Sequence, residues 1–149
     1  MYPFIVRSCR PPPRTAGREE FGREFAATFL RRCGRARKED VVATATALTA
    51  WSIADALRRF VLRSKGKFRD FIASGGGAKN PTLMRMLEEE LTALGLRLRS
   101  SDEFGLPGDA KEAAAFALLA YQTWRREPSN IPSATGAKRA AVLGKISYP

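Results

Sequence analysis

The sequence predicts an α/β fold in which helices pack on a short, mostly parallel sheet. Residues 68–74 and 96–101 have strand-like apolar patterns, and a clearly marked helix lies between them. A strand, a helix and a second strand in this order form the crossover that joins parallel strands, and such crossovers are right-handed. The length of 149 residues suits one domain with one core.

The N-terminal region is predicted to be a tail followed by a helix. Residues 1–14 are rich in Pro and Arg, and three consecutive prolines cannot extend a helix. Further along, phenylalanine recurs every fourth residue, at Phe21, Phe25 and Phe29. This spacing predicts a helix whose aromatic stripe is a packing face rather than a binding site.

A long helix and a short strand come next. Residues 38–62 are rich in small side chains with helical periodicity, and we predict Asp40 as the N-cap. After the break at 64–67, the run Phe71, Ile72 and Ala73 predicts a short parallel strand that is buried.

The helix between the strands has the clearest boundaries in the sequence. Asn80 can cap it and Pro81 suits its first position, so the predicted helix spans about 81–94. An Ala-rich helix is predicted over about 110–125. The rest of the chain carries repeated Pro, Ser and Gly, and only residues 140–144 are predicted to be ordered there.

Composition narrows the chemistry. The chain has 26 Lys and Arg against 15 Asp and Glu, a net charge of +11, which favours phosphate-bearing partners unless it reflects only an Arg-rich coding bias. There is no histidine, so no Cys/His zinc cluster, Ser-His-Asp triad or Cys-His nucleophile can form. The two thiols, Cys9 and Cys33, fit a reducing compartment, although a disulfide stays open. No membrane span or signal peptide is evident, and we expect a cytoplasmic protein.

Three consecutive glycines, Gly75, Gly76 and Gly77, stand between the first strand and the capped helix. Glycine reaches positive φ and lets another group approach the backbone closely, while the amides at the following helix start can face an anion. The spacing matches neither the G-x-x-x-x-G-K-[ST] phosphate loop nor G-x-G-x-x-G. Local chemistry therefore leaves two interpretations open, a tight turn and a nucleotide contact.

Several motifs in order resemble one enzyme family. "SGGGAKNPTLMRML", "SSDEFGLPGDAKEAAAFALLAY" and "NIPSATGAKRAAVLGKI" resemble the C-terminal part of the anhydro-N-acetylmuramic acid kinases. "TAGREEFG" and "DVVATATALTAWSIADAL" resemble the segments before it, so the resemblance covers residues 15–149 and leaves 1–14 unmatched. It implies the C-terminal part of an actin-like ATPase (ribonuclease-H-like) domain that uses ATP and Mg²⁺. The implied reaction phosphorylates and opens 1,6-anhydro-N-acetylmuramic acid, giving N-acetylmuramic acid 6-phosphate in cell-wall recycling.

The resemblance also implies site residues. The adenosine motif of the actin-like ATPases matches Gly75, Gly76, Gly77 and Asn80. A glutamate that lies near the sugar in the kinase family matches Glu112. Asp109 and Glu112 are also spaced as a capping box, so sugar contact and helix capping are both open for Glu112. No catalytic residue and no metal ligand carries over, because the family's upstream phosphate segment and catalytic aspartate have no counterpart here. We therefore expect a nucleotide-facing portion that is inactive alone and either pairs with an N-terminal lobe or self-associates.

A second hypothesis is a non-catalytic, basic α/β binding module for nucleic acid or protein. Single-stranded nucleic acid is bound by aromatic side chains interleaved with a basic surface. Most aromatic residues here have the spacing of a helical core instead. The sequence therefore argues against a nucleic-acid partner.

Overall fold

A computed structural model of the chain describes residues 17–63 and 68–147, so the tail predicted for 1–14 lies outside the described residues. The helices and strands are α1 (Arg18–Phe21), α2 (Arg23–Cys33), α3 (Lys38–Ala56), β1 (Asp70–Ala73), α4 (Pro81–Thr92), β2 (Arg97–Ser100), α5 (Lys111–Trp124) and α6 (Pro132–Thr135). Short 3₁₀ turns cover Gly76–Lys79 and Ser101–Phe104. None of the helices within these ranges is long and apolar enough to span a membrane.

The phenylalanine stripe spans two helices because Gly22 separates α1 from α2. The Phe21 and Phe25 rings meet edge to face at 5.2 Å, and Phe25 and Phe29 stack at 6.3 Å. Phe21 of α1 thus contacts Phe25 of α2, which in turn contacts Phe29. Phe21 is exposed, and no residue of α2 is buried against the described part of the chain.

The long helix α3 begins earlier than predicted. Its N-cap is Arg37, and Asp40 lies inside the first turn beside Glu39, so the prediction of Asp40 as N-cap is wrong. Both acids sit where the helix dipole favours negative charge, and this position accounts for them without a capping role. The helix ends in a π-helical turn over Leu57–Val61.

The core lies between α3, α4 and one face of the sheet. Its buried residues are Ala50, Leu87, Leu91 and Leu96. A small side chain at position 50 lets α3 approach α4 closely. Around these residues, partly buried side chains of both helices and both strands complete the cluster, among them Ile53, Leu83, Phe71 and Leu98.

The sheet has two parallel strands in the described residues, with Phe71 opposite Leu98 on the core face. At one end of the sheet Arg97 pairs with Asp70 at 3.0 Å. Ile72 points to the other face and is 51% exposed, so the prediction that this strand is buried is wrong. Successive side chains of a strand alternate between faces, and no described element covers the second face over Ile72.

The helix α4 follows its sequence signals closely. The Asn80 side chain accepts hydrogen bonds from the amides of Thr82 at 3.0 Å and Leu83 at 3.1 Å. Pro81 stands in the first turn, where a missing N–H costs nothing. The buried residues Leu87 and Leu91 lie four apart on the core face.

The helix α5 does not use the capping box suggested by Asp109 and Glu112. Its N-cap is Ala110, which makes no side-chain capping bond, so that interpretation is wrong. A capping box forms instead directly at the end of β2, where the Ser100 amide donates to Glu103 at 2.8 Å.

The segment after α6 forms neither helix nor strand, and because α6 itself lies before 140–144, the prediction that only 140–144 is ordered is wrong. The Asn130 side chain accepts from the amide of Ala141 at 2.7 Å and donates to the carbonyl of Arg139 at 3.0 Å. The hydroxyl of Thr123 in α5 also donates to the carbonyl of Leu143. These bonds hold the segment against the end of α5.

Candidate functional site

The glycine turn joins β1 to α4, and its three glycines differ in what the backbone requires. Gly75 has φ +90°, which a side chain would strain. Gly76 and Gly77 do not have positive φ. A Cβ at Gly76 would meet no described atom within 4 Å, and one at Gly77 would make ordinary contact with Leu83 at 3.7 Å. The tight-turn interpretation thus explains Gly75 alone and leaves open space beside Gly76.

The turn lies at the edge of the sheet where both parallel strands end. Ala73 and Ser100 are register partners and the last residues of β1 and β2. In open α/β sheets this carboxyl edge is where ligands bind. The glycine turn and the loop after β2 therefore share the position at which a ligand site is expected.

Two contacts join the glycine turn to the loop before α5. The Lys79 ammonium pairs with the Asp109 carboxylate at 2.7 Å. A Cβ added to Gly108 would lie 3.5 Å from the Gly75 nitrogen and 3.9 Å from the Ser101 hydroxyl oxygen. The backbones of the two segments thus approach each other at glycines, where side chains do not intervene.

Glu112 lies in the first turn of α5, next to Lys111, and is exposed. Within the described residues its carboxylate has no hydrogen bond or ion pair, so it is available to a ligand. Lys111 is half-buried, and its ammonium lies 3.9 Å from the place where a Gly75 Cβ would be. Sequence reasoning did not select Lys111. Its position was a usable signal, because a cation is unfavourable at a helix N-terminus.

Two carboxylates in the loop after β2 are held in their charged form. The Ser100 hydroxyl donates to Asp102 and lowers its pKa, and the Gly108 amide contributes a further hydrogen bond at 3.1 Å. The Ser100 amide lowers the pKa of Glu103, and Arg99 adds to this effect with a bond at 2.8 Å. These bonds shape the loop that reaches Gly75 through Gly108.

A second concave surface adjoins Asn80. This cleft of about 510 Å³ lies between the N-terminal parts of α3 and α4. Its lining residues are Lys38, Glu39, Val42, Ala43, Thr46, Asn80 and Thr82. The volume falls in the range of small-molecule pockets, roughly 300–1,000 Å³.

The part of the chain that the structure describes shows no cluster of metal ligands. No group of three or more His, Cys, Asp or Glu in the described residues could hold a metal ion. Near the glycine turn, Asp109 is paired with Lys79, and Asp102 accepts bonds from Ser100 and Gly108. In phosphoryl-transfer sites Mg²⁺ is held by one or two carboxylates together with substrate phosphates, and both of these carboxylates already have protein partners.

Comparison with known proteins identifies the family of the chain that carries this glycine turn. A sequence model described as anhydro-N-acetylmuramic acid kinase matches residues 7–149. The chain belongs to the anhydro-N-acetylmuramic acid kinase family. The resemblance drawn from the glycine and Glu112 motifs is therefore confirmed, and the match begins inside the Pro/Arg-rich segment.

Curated relatives agree with this family. The anhydro-N-acetylmuramic acid kinase of Bacillus cereus strain AH187 is 40% identical over 148 residues. The kinase of Bacillus thuringiensis subsp. konkukian strain 97-27 and that of Bacillus anthracis strain A0248 are each 39% identical over the same length. In each case the match covers 99% of this chain and 38% of the relative. The chain thus spans well under half the length of these relatives.

Proposed function

We propose that this chain forms the nucleotide-facing C-terminal portion of an anhydro-N-acetylmuramic acid kinase with an actin-like ATPase domain. The family match over residues 7–149 carries this proposal. In the reaction, the γ-phosphoryl group of ATP passes to O6 of 1,6-anhydro-N-acetylmuramic acid. Water adds at C1 as the anhydro bond to O6 breaks, and the products are ADP and N-acetylmuramic acid 6-phosphate.

The glycine turn is the proposed contact for the adenosine side of ATP. A ligand can lie against Gly76, because the space that a side chain would fill there is open. Asn80 ends the turn and also lines the cleft between α3 and α4, so a nucleoside bound at the turn would lie next to that cleft. This use of the turn supplies the reason for Gly76 and Gly77 that backbone conformation does not.

Glu112 is the proposed contact for the sugar. Its carboxylate is exposed at the start of α5 and takes no part in capping that helix. Sugar hydroxyls donate hydrogen bonds, and a carboxylate without a protein partner can accept them. The observed Ala110 cap favours this role over the capping role that the sequence left open.

The described residues do not complete the chemistry by themselves. Activating water requires a base within hydrogen-bond reach, and phosphoryl transfer requires metal ions and positioned charge. The carboxylates near the turn are engaged or exposed, and none forms a metal cluster with its described neighbours. We propose that the part of the kinase outside this match supplies the base and the Mg²⁺ ligands.

The surface of α5 supports the need for that remaining part. Its apolar stripe repeats at helical spacing and comprises Ala113, Phe116, Ala117, Ala120, Tyr121 and Trp124. Phe116 is 70% exposed and Trp124 is 71% exposed. Soluble monomers rarely expose a continuous patch of this kind, so we propose that the stripe packs against the upstream part of the kinase.

Binding of ATP tests the proposal directly. We expect weak binding, with a Kd no lower than about 1 mM, because phosphate and metal contacts from the rest of the kinase are missing. Gly76→Val should abolish this binding by filling the open space beside the turn. Gly22→Val is a matched control, since Gly22 also has a negative φ, −90°, and lies between α1 and α2. Ligand-observed NMR that shows equal ATP binding by wild type and Gly76→Val would exclude the adenosine assignment.

A further inference from the structure

We infer that Lys111 and Ser101 form, against Gly75, a binding site for an anionic oxygen group of the kinase's ligands. The group is either a phosphate of the nucleotide or the carboxylate of the muramic acid substrate, and both present negatively charged oxygens. The inference rests on the proposed function and adds two residues to it that no motif identified.

The first observation concerns the charge of Lys111. Its ammonium lies beside the glycine turn, 3.9 Å from the Cβ position of Gly75, and the residue is half-buried. Lys79, on the other side of the turn, is neutralised by Asp109 at 2.7 Å. Lys111 has no such carboxylate partner among the described residues. The turn therefore carries one compensated and one uncompensated cation.

The position of Lys111 makes this uncompensated charge unfavourable without a ligand. It is the first residue of α5, where the unpaired amides of the helix already produce a positive potential. The basic chain, with a net charge of +11, adds to that potential. A bound anion would stabilise both the ammonium and the helix N-terminus.

The second observation is independent of charge. Ser101 is only 5% exposed, and its hydroxyl has no hydrogen-bond partner in the described part of the chain. Buried hydroxyl groups almost always find a partner, and an unpaired one destabilises the fold. Ser101 lies beneath Gly108, whose Cβ position is 3.9 Å from the Ser101 oxygen and 3.5 Å from the Gly75 nitrogen. The unsatisfied donor is thus directed at the junction of the two loops.

Together these groups have the composition of an anion site. A cation and a hydroxyl donor lie at the carboxyl edge of two parallel strands, where ligands of α/β sheets bind. Gly75 and Gly108 bring the two backbones together at this point, where neither residue has a side chain. A phosphate or carboxylate oxygen bound at this junction would pair with Lys111 and accept from Ser101.

Binding measurements on the intact chain separate the two possible sources of the anion. The probes are ATP, adenosine, 1,6-anhydro-N-acetylmuramic acid and its uncharged analogue 1,6-anhydro-N-acetylglucosamine, each followed by ligand-observed NMR. Lys111→Met should weaken binding of one anionic probe on the order of tenfold, as expected for loss of a charge-assisted bond. Lys111→Arg should retain most of it, and Lys138→Met, which removes an exposed lysine from the C-terminal segment, should have no effect.

Each pattern of results has one meaning. Weaker ATP binding with unchanged adenosine binding identifies a phosphate, whereas weaker binding of the sugar acid with unchanged binding of the neutral sugar identifies its carboxylate. Unchanged binding of both anionic probes by Lys111→Met overturns this inference and leaves the proposed function standing. Wild-type chain that binds none of the four probes overturns the proposed function and this site with it.

Ser101→Ala distinguishes a ligand contact from a structural hydroxyl. Removal of an unpaired buried hydroxyl should leave the unfolding midpoint of the free chain unchanged or raise it, while binding of the anionic probe falls. A lower midpoint with unchanged binding would mean that Ser101 is satisfied by buried water and belongs to the fold alone. That result would remove Ser101 from the site.

Discussion

The helices α4 and α5 are similar in length and differ in almost everything that stabilises a helix. α4 has an Asn80 side chain that caps two amides, and it buries Leu87 and Leu91. α5 has no side-chain cap and no residue buried against the described part of the chain. It forms because its Ala-rich sequence has high intrinsic helix propensity.

This difference separates two kinds of surface on one chain. The apolar face of α4 meets α3 and the sheet within the described residues, so its packing energy is internal. The apolar stripe of α5 meets solvent at Phe116, Tyr121 and Trp124. The core is therefore complete around α4, whereas no described element covers the apolar stripe of α5.

The largest effect is expected at the α5 stripe, which we propose packs against the rest of the kinase. The chain alone should form no product from 1,6-anhydro-N-acetylmuramic acid and should self-associate near 0.15 M salt. At that ionic strength charges are screened beyond about 8 Å, and the net charge of +11 no longer opposes contact between exposed stripes. Co-expression with the part of the Bacillus cereus relative that this chain does not match should raise soluble yield and restore product formation.

A double substitution in the stripe sharpens this test. Phe116→Asp with Trp124→Asp should reduce self-association of the chain, measured by light scattering, and abolish rescue by the co-expressed part. Glu112→Gln should leave rescue of solubility intact and lower product formation in the complex. A monodisperse wild-type monomer that unfolds cooperatively at 0.15 M salt would contradict the docking role and favour an independent binding module.

Matched leucine substitutions compare the two helices directly. Leu91→Ala should lower the free energy of unfolding by about 2–5 kcal/mol, because Leu91 is fully buried and its loss leaves a cavity. Leu118→Ala on α5 should change it by no more than about 0.5 kcal/mol, since Leu118 is 57% exposed. Urea unfolding followed by circular dichroism measures both. Equal costs would mean that α5 is packed as well as α4.

Substitutions at the starts of α4 and α5 should differ less in their effect on the free energy of unfolding. Asn80→Ala removes the acceptor for two amides and should cost about 0.5–2 kcal/mol. Asp109→Ala removes an exposed ion pair with Lys79 and no cap, so a loss of only about 0.2–1 kcal/mol is expected. A larger loss for Asp109→Ala than for Asn80→Ala, in the same unfolding assay, would restore the capping role of Asp109.

The smallest effect is a pH dependence in the loop that leads to α5. The folded state lowers the pKa of Asp102 through Ser100 and that of Glu103 through the Ser100 amide. Their stabilisation is therefore present above the ordinary carboxyl pKa values, roughly 4, and is lost as pH falls through the lowered values. Unfolding midpoints measured from pH 6 to pH 2 should fall less steeply in Asp102→Asn with Glu103→Gln than in wild type. An identical slope in both would show that other carboxylates determine acid stability.

The sequence was most informative where a signal and its effect lie within one helical turn. Asn80 and Pro81 mark the start of α4 correctly because a cap acts on amides two and three residues away. The same local rule failed at Asp40 and at Asp109. Asp40 lies in the first turn of α3, where it interacts favourably with the helix dipole, and Asp109 forms an ion pair with Lys79. A spacing alone does not show which of several local interactions an acidic side chain makes.

Order along the chain and family membership were determined by the sequence itself. The succession of helices and strands follows from periodicity, caps and glycines, which act over a few residues, and the ordered motifs identified the kinase family. Only the tertiary structure showed that Ile72 is exposed and that Lys79 meets Asp109, 30 residues away. It alone placed the Lys111 ammonium beside Gly75 and the Ser101 hydroxyl beside Gly108. Such contacts depend on how the crossover brings distant segments to one edge of the sheet, and no pattern within a single segment encodes them.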